Sequence, residues 1–150
     1  MQVVDIPADM SVRRTVARWC LDEWRHLFPD DTEQWYLDTY AAADSTGGHS
    51  PHALAVLDGD EVVGTALVVP DDELPGAPEP GPWLAAVYVV PSHRGRGVGR
   101  ALVETAVSRA ACDLWLYTES ETEWYATMGW QRVRQAELNG HPVTVMSLRA

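Results

Sequence analysis

The sequence predicts a single mixed α/β domain over residues 1–150, and three observations carry that prediction. One is a strand, a glycine-rich loop and a helix in immediate succession over residues 83–110. The second is a pair of hairpin signals, Asp58-Gly59-Asp60 and Asn139-Gly140, each between strand-like runs. The third is a pair of helical apolar stripes in the first third of the chain.

Taken in order, residues 2–6 read as a short strand closed by Pro7. Ser11 is placed to cap a helix that reaches about His26, with Val12, Val16, Trp19, Cys20, Trp24 and Leu27 on its buried stripe. Phe28-Pro29 ends it. Asp31-Thr32-Glu33-Gln34 has the form of a capping box, with Asp31 as cap and Gln34 reaching back. The helix it opens runs to about Ala43 through Trp35, Tyr36, Leu37 and Tyr40. Residues 52–57 and 61–69 form the first hairpin. Residues 70–82 hold five prolines and read as a loop, placed just before the central strand where it can border a site. Residues 83–90 are that strand, rich in Val and aromatics and stopped by Pro91. After the central helix, residues 114–118 form a strand. Ser120 or Thr122 can cap a short helix ending at Met128, with Gly129 as its stop. Residues 130–138 and 142–148 make the last hairpin. The order is β-α-α-β-β-β-α-β-α-β-β.

The loop Arg94-Gly95-Arg96-Gly97-Val98-Gly99 carries the chemistry. Its glycines leave the backbone bare, so successive N–H groups can converge on one anion. The helix that follows adds free N–H donors and about half a positive charge. Arg94, Arg96 and Arg100 are three of only 11 Lys and Arg residues in the chain, so the loop reads as a phosphate cradle. No Gly-Lys-Ser/Thr is present, which excludes a Walker loop with metal-bound ATP. The third glycine of a dinucleotide fingerprint would fall on Arg100 or Leu102, which excludes that motif too.

Composition narrows the class further. Net charge is −11 and the isoelectric point about 4.7. That argues against nucleic acid as a partner and is compatible with a cationic acceptor. No apolar run approaches the roughly 20 residues of a membrane span, and no basic segment leads into an apolar one at the N-terminus. Cys20 and Cys112 both sit in helical apolar patterns and read as reduced core thiols of a cytoplasmic protein. No Cys/His cluster has metal-ligand spacing, so no metal is expected.

The pattern R-x-x-G-x-G before a helix, preceded by a strand of the form L-x-x-V-Y-V-x-P, resembles the acetyl-CoA loop of the GNAT superfamily of N-acetyltransferases. Tyr125-Ala126-Thr127-Met128-Gly129-Trp130 looks like the family's Y-x-x-x-G-F/W, and the element order is the family's. The resemblance implies a six- to seven-stranded, mostly antiparallel sheet, splayed between its fourth and fifth strands and flanked by about four helices. It implies acetyl-CoA as co-substrate and direct transfer in a ternary complex. The acceptor is an amine of a small molecule or, failing that, of a peptide or protein. Dimers are common in the family.

The same resemblance implies site residues. Arg94, Gly95, Arg96, Gly97, Val98, Gly99 and Arg100 would hold the pyrophosphate. Backbone groups of Val87, Tyr88 and Val89 would pair with the pantetheine arm, with an N–H near Val89 facing the oxyanion. Tyr125 would protonate the leaving thiolate, since a phenol with a pKa near 10 keeps its proton at neutral pH. The base is open. Positions where family members carry one hold Trp83 and, in strand register, Tyr117, with Asp113 at the strict spacing. Glu119 is the best remaining carboxylate, Glu73 and Glu79 are alternatives, and a water relay would also serve. His93 sits in the loop within reach of phosphate. Trp19, Trp24, Trp35 and Tyr36 could line an aromatic acceptor site. A non-catalytic acyl-CoA-binding module is the alternative reading, because the expected base is missing.

Overall fold

The computed structural model describes residues 1–150. In chain order the elements are β1 (Gln2–Asp5), α1 (Met10–Trp24), α2 (Glu33–Ala43), β2 (His52–Asp58), β3 (Glu61–Val69), β4 (Trp83–Val89), α3 (Val98–Ala110), β5 (Leu114–Thr118), α4 (Thr122–Ala126), β6 (Gln131–Leu138) and β7 (His141–Leu148). The expected order therefore holds, with boundaries moved by a residue or two.

All seven strands form one sheet in the order β1-β2-β3-β4-β5-β7-β6. Every neighbouring pair is antiparallel except β4 and β5. Those two run parallel and pair only at Trp83↔Trp115. Beyond that rung they part, and the facing edge of β4 is left without a strand partner. A bulge assists the divergence. Thr65 pairs with Tyr88 and Leu67 with Ala85, so β4 carries one extra residue there. Ala86 takes up the bend with φ +52.

One core lies on each face of the sheet. Beneath α1 and α2 it includes Val16, Ala17, Cys20, Tyr36, Tyr40 and Trp83. Beneath α3 it includes Leu54, Val68, Val98, Leu102, Ala106 and Met146. Each face buries a helix stripe against alternate strand residues, as two-layer packing requires. Arg13 fixes α1 in place. It is buried, and it bonds both oxygens of Asp44 at 2.8 Å and the carbonyls of Pro7 and Ile6.

Several local expectations are corrected. Asp9, not Ser11, caps α1, with its carboxylate accepting from the N–H groups of Ser11 and Val12. The helix stops at Trp24, two residues short of His26, and the chain turns there instead. Thr32, not Asp31, caps α2, and Gln34 bonds Asp38 rather than reaching back. Asp31 is thereby left free. The short helix ends at Ala126, and neither Ser120 nor Thr122 caps it. Cys112 is exposed just after α3, while Cys20 is the buried thiol expected. No helix is long and apolar enough to cross a membrane.

Candidate active site

The parting of β4 and β5 opens a cleft of about 670 Å³. Its floor is the free edge of β4. One end is closed by the first turn of α3, the other by the turn after α1, the start of α2 and the loop before β4. Of the residues expected at the site, Val87, Tyr88, Val89, Arg94, Gly95, Gly97, Val98, Gly99, Arg100, Glu119 and Tyr125 all line this cleft, and Arg96 does not.

At the α3 end the chain is shaped for an anion. Gly95 and Gly97 have φ +74 and +79, and Gly97 is the N-cap of α3. A Cβ at either would meet nothing within 4 Å, so the space above the turn is open to a ligand. Arg94 is held by two contacts. Its Nε donates to the Val89 carbonyl at 2.9 Å, and its guanidinium lies 5.5 Å from the centre of the Tyr88 ring. Arg100 donates to Glu104 and Thr127. His93 also lines the cleft, with its Nε2 2.9 Å from the Asp58 carboxylate.

Gly99 brings the second half of the site close. A Cβ there would lie 3.2 Å from the Trp124 ring, so any larger residue would push α4 back from α3 by a few tenths of an ångström. Tyr125 follows Trp124 and packs edge-on between it and Trp130, at 4.8 and 5.9 Å. Tyr125 is only 8% exposed, yet it reaches the cleft. Burial, with Glu121 adding to it, pushes its phenol well above its ordinary pKa, and no hydrogen bond to the protein acts on it. It keeps its proton through neutral pH.

Glu119 stands just past β5, opposite α1. Its Oε1 lies 2.6 Å from His26 Nε2 and its Oε2 3.8 Å from His141 Nδ1. The two imidazoles meet edge-on at 5.2 Å. Asn139 donates to the Leu27 carbonyl at 2.6 Å, tying the last hairpin to the turn that carries His26. Of the other base candidates, Glu73 also lines the cleft, and the remaining four are engaged elsewhere. Trp83 is sealed in the core. Tyr117 donates its hydroxyl to the Asp72 carbonyl at 2.9 Å, and burial drives its pKa up. Glu79 is clamped by Arg134 at 2.8 and 2.9 Å, which holds its carboxyl below the usual range. Asp113 bonds the Ala150 N–H and Arg149.

His26, Asp31 and Asp72 were not found from the sequence. His26 lies outside the helical stripe, and Asp31 was assigned to a cap that Thr32 makes. Asp72 looked like one more loop carboxylate. Of the four aromatics named for an acceptor site, Trp24, Trp35 and Tyr36 line the cleft. Trp19 instead packs on Tyr88 at 5.7 Å.

A seven-stranded sheet split between its two parallel strands, with a glycine turn opening the helix beside the split, is the architecture of an acyl-group transferase. The chain belongs to the acetyltransferase (GNAT) family, whose model matches residues 13–130. Its fold is similar to that of an aminoglycoside 6'-N-acetyltransferase from Enterococcus faecium (TM-score 0.74, 16% identity, 99% of this chain and 97% of that one). An aminoglycoside 6'-N-acetyltransferase solved in complex with coenzyme A is similar at TM-score 0.72 and 16% identity, over 99% and 97% of the two chains. A ribosomal-protein-alanine N-acetyltransferase from Brucella melitensis matches over 100% of both chains at TM-score 0.65 and 16% identity. Among curated proteins no sequence matches the chain.

Proposed function

We propose that this acetyltransferase takes its acetyl group from acetyl-CoA and passes it directly to an amine of a small molecule. One observation carries the reading. The unpaired edge of β4 joins an open glycine cradle to a buried tyrosine whose hydroxyl has no protein partner, all within one cleft. The relatives named above support it, since one was solved with coenzyme A and all are named as N-acetyltransferases.

Acetyl-CoA, when bound, supplies a thioester open to attack by an amine. The chain's residues supply the rest. Backbone N–H groups from Gly95 to Arg100 and the α3 N-terminus hold the pyrophosphate. Val87, Tyr88 and Val89 offer backbone groups to the pantetheine amides, as an added strand would use them. An N–H of the same edge, near Val89, faces the charge that develops on the acyl oxygen. Tyr125 gives its proton to the departing sulfur. The proton shed by the ammonium goes to the Glu119–His26 pair, in which the carboxylate orients the imidazole and an imidazole is the better acceptor near neutral pH.

The test is thiol release from acetyl-CoA across a panel of small amines and peptides. Release that needs an amine, and that is fastest with small amines, supports the reading. Binding of acetyl-CoA without release for any amine would overturn it in favour of an acyl-CoA-binding module.

A further inference from the structure

Part of the cleft, an acidic chamber, is lined by side chains to which the transfer chemistry above gives no role. Its walls are the turn before α2 and the loop between β3 and β4. Asp31 comes from the first, Asp72 and Glu73 from the second, and all three line the cleft. No basic side chain acts on Asp31 or Asp72: beyond burial, Asp31 feels Glu73 and Asp30, and Asp72 feels the Tyr117 hydroxyl and the carboxylates of Glu73, Asp71 and Asp31. The presenting loop has a defined shape. Tyr117 holds the Asp72 carbonyl, the Asp71 carboxylate accepts from the Glu73 N–H at 2.9 Å, and Glu73 sits at φ +58.

Tyr36 is a second and independent sign. It is only 4% exposed and lines the same chamber. Its hydroxyl is subject to the charges of Asp31 and Asp72 but forms no hydrogen bond with the protein. It is also not among the sealed, unpartnered atoms of the interior, so it opens on the cleft. Open to the cleft and without a protein partner, this hydroxyl is available to a ligand as donor or acceptor. The carboxylates do not converge on a point where a metal ion could be held. Trp35 stands edge-on to Tyr36 at 4.9 Å, and with Trp24 and Phe28 it gives the chamber an apolar wall. Spread carboxylates, one free hydroxyl and aromatic faces suit an organic cation with a methylene chain.

We propose that this chamber binds a second ammonium group, so that the acceptor is a diamine or longer polyamine, held at one end by Asp31, Asp72, Glu73 and Tyr36 while the other end is acetylated. This rests on the amine-acetylating reading above. Protonation supports it. Burial, with Glu73 and Asp30 adding to it, pushes Asp31 up to about 6, and burial likewise raises Asp72. A cation in the chamber would favour the charged carboxylates that burial disfavours.

The test has a catalytic and a binding arm. The ratio of kcat/KM for 1,4-diaminobutane over butylamine is measured in wild type, Asp31→Asn, Asp72→Asn and Tyr36→Phe, at matched ionic strength. Wild type should favour the diamine by at least about tenfold, mainly through KM, about what one charge-assisted contact supplies. The preference should fall severalfold in each variant. A wild-type ratio near one, or a ratio unchanged in all three variants, would overturn the proposal. In the binding arm, 1,4-diaminobutane should raise the unfolding temperature of wild type more than butylamine does, and should not do so in an Asp31→Asn/Asp72→Asn double variant. If acetyl-CoA binds but no amine is acetylated, the functional reading fails, and this arm still decides the chamber: equal shifts for the two amines would sink it.

Discussion

At the α3 end the cleft is lined by one short stretch, Arg94, Gly95 and then Gly97 to Arg100. At the α1–α2 end it is lined by side chains from the turn after α1, the loop before β4 and the segment after β5. The first end needs only glycine, a helix start and a strand edge, so its geometry is set locally. The second exists only when three distant segments fold together. On the function proposed above, the first end serves acyl transfer and the second selects the acceptor. It also sets how each end responds to mutation.

The sharpest way to break the α3 end is Gly97→Asp. It puts a side chain at φ +79 and a carboxylate in the anion cradle. At 100 times the dissociation constant, acetyl-CoA should stabilise wild type by about 2.7 kcal/mol, and thermal unfolding should show no such gain in the variant. Tyr125→Phe acts where the two ends meet. It should lower kcat by about 100-fold while the stabilisation by acetyl-CoA stays. An equal loss of both would make Tyr125 a packing residue.

Arg13→Ala tests whether the α1–α2 end depends on long-range fixing. Arg13 holds Asp44 and two carbonyls from inside the fold. Its loss should cost about 2–3 kcal/mol in denaturant unfolding and should raise the KM for the amine more than the KM for acetyl-CoA. Asp31→Asn reads the same end through pH. Its folded pKa of about 6 lies above the unfolded value of an Asp. The folded state therefore binds more protons between about pH 4 and 6, and Asp31 lowers stability as pH rises through that window. The variant should gain on wild type as pH rises from 4.5 to 7. A constant difference between them would contradict the placement of Asp31. The smallest effect is expected from Tyr40→Phe. It removes a sealed hydroxyl with no partner and should leave stability within about 0.5 kcal/mol or raise it slightly.

The same contrast explains what was legible in the sequence. The strand–glycine–helix unit and the Asn139-Gly140 turn, with φ +48 and +81, are local devices, so spacing alone placed them. The splay of β4 from β5 followed from family resemblance and not from the residues. Nothing in Leu84-Ala85-Ala86-Val87 marks a bulge, because Ala86 reaches φ +52 without the glycine that would have announced it. Capping went wrong where neighbouring polar residues competed. Asp9 and Ser11, like Asp31 and Thr32, are equally good candidates by type, and only the path of the preceding chain decides between them. The partnership of His26 with Glu119 spans most of the chain and leaves no mark in either segment alone. Asp31 and Asp72 owe their environment to burial, which pattern does not report for a loop.

The central claim is that the two ends work together to move an acetyl group onto an amine. The most direct measurement is the product itself. Wild-type protein is incubated with acetyl-CoA and 1,4-diaminobutane, and acetylated amine is quantified by mass spectrometry beside free thiol. The account predicts one acetylated amine per thiol released, with neither formed by Gly97→Asp. Bound acetyl-CoA that yields no acetylated amine, from this or any other amine, would contradict it.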